Sequence, residues 1–76
     1  MLVREATKKD VKTCAIIEKQ ESAESIEIIE DEIEKQIDEE DHFIFVAEET
    51  GKVVGFISAE WQRWNNSLYI DSLYID

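Results

Sequence analysis

The sequence contains no proline, only two glycines, and one each of cysteine, histidine and methionine. Without proline there is no rigid linker, and no element interior is forbidden by ring geometry. With Cys14 as the sole cysteine, the chain cannot staple itself with a disulfide. Cys14 reads as a small buried hydrophobe, because the flanking signature of a reactive thiol is missing. Basic residues are scarce: 8 Lys and Arg stand against 19 Asp and Glu, a formal charge of −11. That balance excludes nucleic acid as a partner, since phosphate contacts need clustered Lys and Arg. Long apolar runs are also missing. The start, MLVREATKKD, has no signal-like core, and no stretch approaches the roughly 20 apolar residues of a membrane span. The default expectation is a cytoplasmic protein. Seventy-six residues make one small domain, 1–76. A chain of this size hides only about 60–65% of its unfolded surface.

The charge that is present is unevenly spread. Residues 1–20 carry a net +2, residues 21–41 a net −10, and residues 42–76 a net −3. The acidic block reads first as a solvated helix face. Sharper readings are a surface for a basic partner or a DNA mimic.

Hydrophobic spacing divides the chain into six elements. Residues 2–6 suit a short strand. Thr7-Lys8-Lys9-Asp10 fits a capping box for a helix over about 8–20, whose apolar residues Val11, Cys14, Ala15 and Ile17 or Ile16 recur at helical spacing. Ser22 or Ser25 caps a second helix, about 25–39. There Ile26, Ile29, Ile33 and Ile37 make one stripe, opposite a charged face. Residues 42–48 are aromatic and β-branched, hence a strand. Glu49-Thr50-Gly51-Lys52 is a hairpin turn, with Gly51 suited to positive φ. A long strand runs from Val53 to about Trp64, with Val53, Gly55, Ile57, Ala59 and Trp61 on one face. Asn65-Asn66 turns the chain into a last strand from Ser67. The fold class is α+β, in the order β-α-α-β-β-β.

The last strand reads SLYIDSLYID, residues 67–76. Side chains alternate with period two, whereas this repeat has period five. In an unbroken strand the two copies would face opposite ways. A β-bulge near Asp71-Ser72 would instead put Leu68, Ile70, Leu73 and Ile75 on one side.

Three stretches resemble the GNAT superfamily of N-acetyltransferases. Phe45-Val46-Ala47-Glu48-Glu49-Thr50-Gly51-Lys52-Val53-Val54-Gly55-Phe56-Ile57 is similar to its second and third strands. Val3 to Asp10 resembles its first strand and helix cap, and Tyr69 to Asp76 its fourth strand. The resemblance implies a mixed, mainly antiparallel sheet, a partial acyl-CoA N-acyltransferase fold. It departs at one point. The family's fourth strand leads into an R-G-x-G-type loop that binds the acetyl-CoA pyrophosphate at a helix start. Gly51 and Gly55 are the only glycines here, so this loop has no counterpart. The chain is therefore expected to be the N-terminal portion of a GNAT domain, with little activity alone.

The resemblance implies acetyl transfer from acetyl-CoA to an amine. It places the backbone of Leu73, Tyr74 and Ile75 along the pantetheine arm. Tyr69 and Asp71 are the catalytic candidates for removing the amine's proton. Tyr69 also suits an amphipathic aromatic, and Asp71 a carboxylate bonded to local backbone. Glu60 and His42 read as surface residues, and Trp61 and Trp64 as core. No metal-ligand spacing is present. The acidic second helix would lie on the acceptor side, which points to a cationic acceptor such as a polyamine, a lysine or a protein N-terminus. A different reading makes the chain a non-catalytic acidic interaction module. Under either reading the apolar last strand is expected to form a homodimer through residues 67–76.

Overall fold

A computed structural model describes all 76 residues. The elements are β1 (Leu2–Glu5), a 3-10 turn (Lys8–Asp10), α1 (Val11–Lys19), α2 (Ile26–Asp38), β2 (His42–Glu49), β3 (Lys52–Gln62) and β4 (Ser67–Ile75). The strands lie in the order β1-β2-β3-β4, and every neighbouring pair is antiparallel. This is the expected α+β order; no parallel pair occurs among the four strands.

The entry to α1 is fixed by charge as well as by capping. The Thr7 N–H donates to Asp10 Oδ2 at 2.8 Å, and the Thr7 hydroxyl donates to the same oxygen at 3.3 Å. Arg4 on β1 grips both Asp10 oxygens at 2.8 and 2.9 Å, and its Nε donates to Glu48 on β2 at 2.7 Å. One guanidinium thus ties β1, the 3-10 turn and β2 together through a bidentate pair. The Arg4 hydrogen bonds hold the Asp10 carboxyl down at about 2, helped by the Thr7 amide and opposed by burial.

Helix α2 begins at Ser25, whose hydroxyl oxygen accepts the Ile28 N–H at 3.4 Å. Its stripe faces inward: Ile29 and Ile33 are fully buried, and Ile26 and Ile37 pack around them. In α1 the inward residue is Ile17, while Ile16 is exposed. Both helices cover the same sheet face, where Ile44, Val46, Val53 and Phe56 complete the core. Cys14 lies at the centre with no exposure, and burial pushes its thiol up to about 12.

The hairpin between β2 and β3 turns on Thr50 and Gly51, at φ 54° and 78°. Two positive φ values in a two-residue loop match the twist of antiparallel strands. Just beyond, the register steps from Ala47–Gly55 to Glu48–Val53, which leaves Val54 as an extra residue. This moves Val53 into the core, away from the face of Gly55 and Ile57 on which strict alternation would put it. Strand β3 also ends sooner than its apolar content suggests. Arg63 bonds Asp41 and Glu40 in the α2–β2 connection, which draws residues 63–66 into a turn. Trp64 is consequently 83% exposed rather than in the core, and Trp61 is half-buried.

The molecule measures 35 × 29 × 20 Å. Its short dimension holds one sheet and one helix layer, with packed layers about 10 Å apart. The other sheet face is open. On it Val3, Leu68, Ile70, Leu73 and Ile75 are each at least half exposed.

Candidate active site

Strand β4 carries the bulge that its five-residue repeat requires. Ser58 pairs with Ser72, but the next residue, Ala59, pairs with Ile70, so Asp71 has no partner across the ladder. Leu73 and Ile75 then share a face with Leu68 and Ile70, and Tyr74 turns to the helix side. There its ring stacks on Phe56, with centroids 5.1 Å apart.

The bulge aims Asp71 at the start of β2. His42 Nε2 is 3.3 Å from Asp71 Oδ2 and 3.0 Å from Ser58 Oγ. With a proton, that nitrogen donates towards both oxygens; without one, the Ser58 hydroxyl donates to it and Asp71 faces its lone pair. The His42 side chain is only 10% exposed. It is therefore not the surface residue that its place after an acidic run suggested. Glu60, its cross-strand partner, stays exposed beside it. Spacing alone could not reveal this group, because it depends on the β2–β3 register and on the bulge.

A polar cleft of about 230 Å³ opens from Asp71 between the helices and β4. Glu18, Glu32, Gln36, Ser58 and Ser72 line it with Asp71. The Glu18 acid is raised above its ordinary value, first by burial and then by the negative charge of Glu32 and Glu24. A second depression, about 190 Å³, lies on the open sheet face and is apolar, with Phe45, Val54, Ile57, Leu73 and Ile75 in its walls. The chemistry-bearing side chains belong to the first.

The other expected residues are placed as follows. Tyr69 stands opposite Glu60 and is 55% exposed, outside the polar cleft. At the end of β4 the Asp76 N–H donates to the Val54 carbonyl at 2.8 Å. Antiparallel ladders alternate, so Tyr74 also bonds towards β3, while the N–H and C=O of Leu73 and Ile75 point to the free edge. Gly55 permits this close pairing: a Cβ there would lie 2.8 Å from the Tyr74 carbonyl oxygen.

A four-stranded antiparallel sheet with two helices on one face and a bulged last strand can be compared with known proteins. Residues 6–76 match the Acetyltransferase (GNAT) family. The chain belongs to the GNAT acetyltransferase family. No curated protein matches it closely enough to count as a relative. Among solved structures, it is similar to a possible acetyltransferase from Clostridium difficile 630, at 26% identity and a TM-score of 0.79, covering 99% of this chain and 57% of that one. It shares its fold with an aminoglycoside 6'-N-acetyltransferase from Acinetobacter haemolyticus, at 12% identity and a TM-score of 0.82, with coverage of 99% and 57%. It also shares it with a predicted acetyltransferase from Clostridium acetobutylicum, solved with acetyl-CoA, at 14% identity and a TM-score of 0.75, with coverage of 99% and 59%. The chain thus spans a little over half the length of these GNAT structures. GNAT acetyltransferases are enzymes that use acetyl-CoA, and no helix of this chain is long and apolar enough to cross a membrane.

Proposed function

We propose that residues 1–76 are the N-terminal portion of an N-acetyltransferase domain that moves an acetyl group from acetyl-CoA to an amine. The observation that carries this reading is the bulge in β4, which sets a carboxylate at the head of a polar cleft beside the free edge of that outermost strand. An acetyl thioester supplies an electrophilic carbonyl. The residues here supply what surrounds it. The free N–H and C=O groups of Leu73 and Ile75 can pair with a pantetheine amide as an added strand would, with Tyr74 holding that edge against Phe56. Asp71 takes the proton that the attacking ammonium must lose, and His42 with Ser58 steadies its carboxylate. Tyr69, two residues earlier on the same strand, is the second candidate for that proton.

Acetyl-CoA fits these residues at one end only. The pantetheine edge is present, but neither glycine opens a helix: Gly51 is in the hairpin and Gly55 lies under the Tyr74 carbonyl. The pyrophosphate needs a seat from other residues, and the open sheet face is where a further layer would pack. The acidic cleft favours a cationic acceptor, with Glu18 and Glu32 facing the approaching amine. A cytoplasmic setting suits both acetyl-CoA and an unpaired Cys14.

Calorimetric titration of acetyl-CoA into the 76-residue chain tests the partial-domain reading. No saturable binding is expected; saturable binding would overturn it. In a protein that joins residues 1–76 to an R-G-x-G-bearing segment, Asp71→Asn should lower amine acetylation by about 10²–10⁴-fold. If Tyr69→Phe does so and Asp71→Asn does not, the proton passes to Tyr69.

A second reading is favoured by the exposed Leu68, Ile70, Leu73 and Ile75. It makes the isolated chain a non-catalytic acidic module that forms a homodimer through residues 67–76. A homodimer with no acetylation in any joined form would support it.

A further inference from the structure

Beyond acetyl transfer, the start of β2 gathers three electron-pair donors with no cation among them. Ligand atoms of His42, Glu60 and Asp71 all lie within 4.8 Å of one another. They come from three adjacent strands and face the same side of the sheet. Neither Glu60 nor Asp71 meets a Lys or Arg; Arg63, the nearest base in sequence to Glu60, is taken by Glu40 and Asp41. His42 is held with its side chain nine-tenths buried, so its Nε2 is aimed by the sheet; the Ser58 hydroxyl, 3.0 Å from that nitrogen, turns its hydrogen elsewhere when the lone pair binds a metal. Two carboxylates this close, in a chain of net charge −11, repel one another. A divalent cation between them would be bonded by both carboxylates and by Nε2.

We propose that His42, Glu60 and Asp71 form a binding site for a divalent transition-metal ion of the zinc or cobalt class. One imidazole and two carboxylates are a borderline donor set, which takes such ions ahead of magnesium or calcium. Bonds of about 2.0–2.2 Å put tetrahedral ligands roughly 3.3–3.6 Å apart. The 3.3 Å between His42 and Asp71 already meets that spacing. Glu60 is exposed on a flexible stem and closes the remainder. Three protein ligands leave a fourth position open, next to the cleft. The proposal does not rest on acetyl transfer. If both hold, metal occupies the carboxylate that would receive the amine's proton, and bound metal inhibits.

The test is binding alone, by cobalt(II) absorption and zinc(II) calorimetry on the whole chain at neutral pH. One ion per chain is expected, with the strong visible absorption of four-coordinate cobalt. Glu60→Gln and Asp71→Asn should each weaken binding by at least about tenfold. His42→Gln should abolish the visible band, with circular dichroism to confirm folding. Glu60 is exposed, so its variant reports even if His42→Gln fails to fold. Glu30→Gln on the acidic face of α2 should change nothing, and excess magnesium should not displace the ion. The proposal is overturned by no binding, by several ions per chain bound equally by Glu60→Gln and Asp71→Asn, or by equal competition from magnesium.

Discussion

At the scale of single residues, Asp10 does more for the fold than its place in a helix cap indicates. Its acid is depressed to about 2 by Arg4, whereas an unfolded aspartate titrates near 4. A depressed folded value stabilises the protein above the unfolded value and ceases to do so as pH falls through the folded one. Stability measured by urea unfolding should therefore drop between about pH 4 and pH 2. Arg4→Met should flatten that drop while lowering stability at pH 7. Cys14 gives a second expectation: its thiol, buried and pushed up to about 12, should react with a thiol reagent at pH 8 only as fast as the protein unfolds. Thr50 is β-branched yet sits at φ 54°. Thr50→Asn should stabilise the hairpin by about 0.5–1 kcal/mol, read from urea midpoints. Asn66, at φ 55°, already has a residue type suited to that conformation.

At the scale of elements, β4 is the strand whose behaviour can be separated most cleanly. Gly55→Ala would force a methyl group against the Tyr74 carbonyl. It should cost about 1–3 kcal/mol and loosen the β3–β4 pairing, seen as faster amide exchange at Phe56 and Tyr74. Prolines divide the two edges. Leu73→Pro removes an N–H directed at the free edge, so it should weaken self-association while leaving the fold in place. Tyr74→Pro removes a bond to β3 and should unfold the hairpin. Helix α2 was legible from its isoleucine stripe and a serine cap, because each signal lies within one turn of the next. The bulge was legible from the odd repeat. The switch of Val53 to the core was not, because the extra residue at Val54 shows only when β2 and β3 are paired.

For the whole molecule, one helix-covered face and one open face set the solution behaviour. Light scattering should show a mass above 8.9 kDa that rises with concentration. Ile75→Lys on the open face should lower it. The fold order was readable from periodicity and turns, and so was the placing of residues 67–75 on one strand, β4. His42 did not declare itself, since its relevant neighbours lie 16 and 29 residues away, at Ser58 and Asp71. Trp64 misled because apolar content outweighs local charge on paper, whereas the Arg63 pairs decide where β3 stops.

Pairing jumps from Ser72 to Ile70, so Asp71 is surplus to the ladder. Deleting it would close Ile70 onto Ser72 and leave every other side chain of β4 on its present side. A chain lacking Asp71 should thus fold with an unbroken hairpin, having lost one carboxylate and nothing else of its sidedness. The aspartate at the head of the cleft occupies the one position in β4 that the architecture can spare.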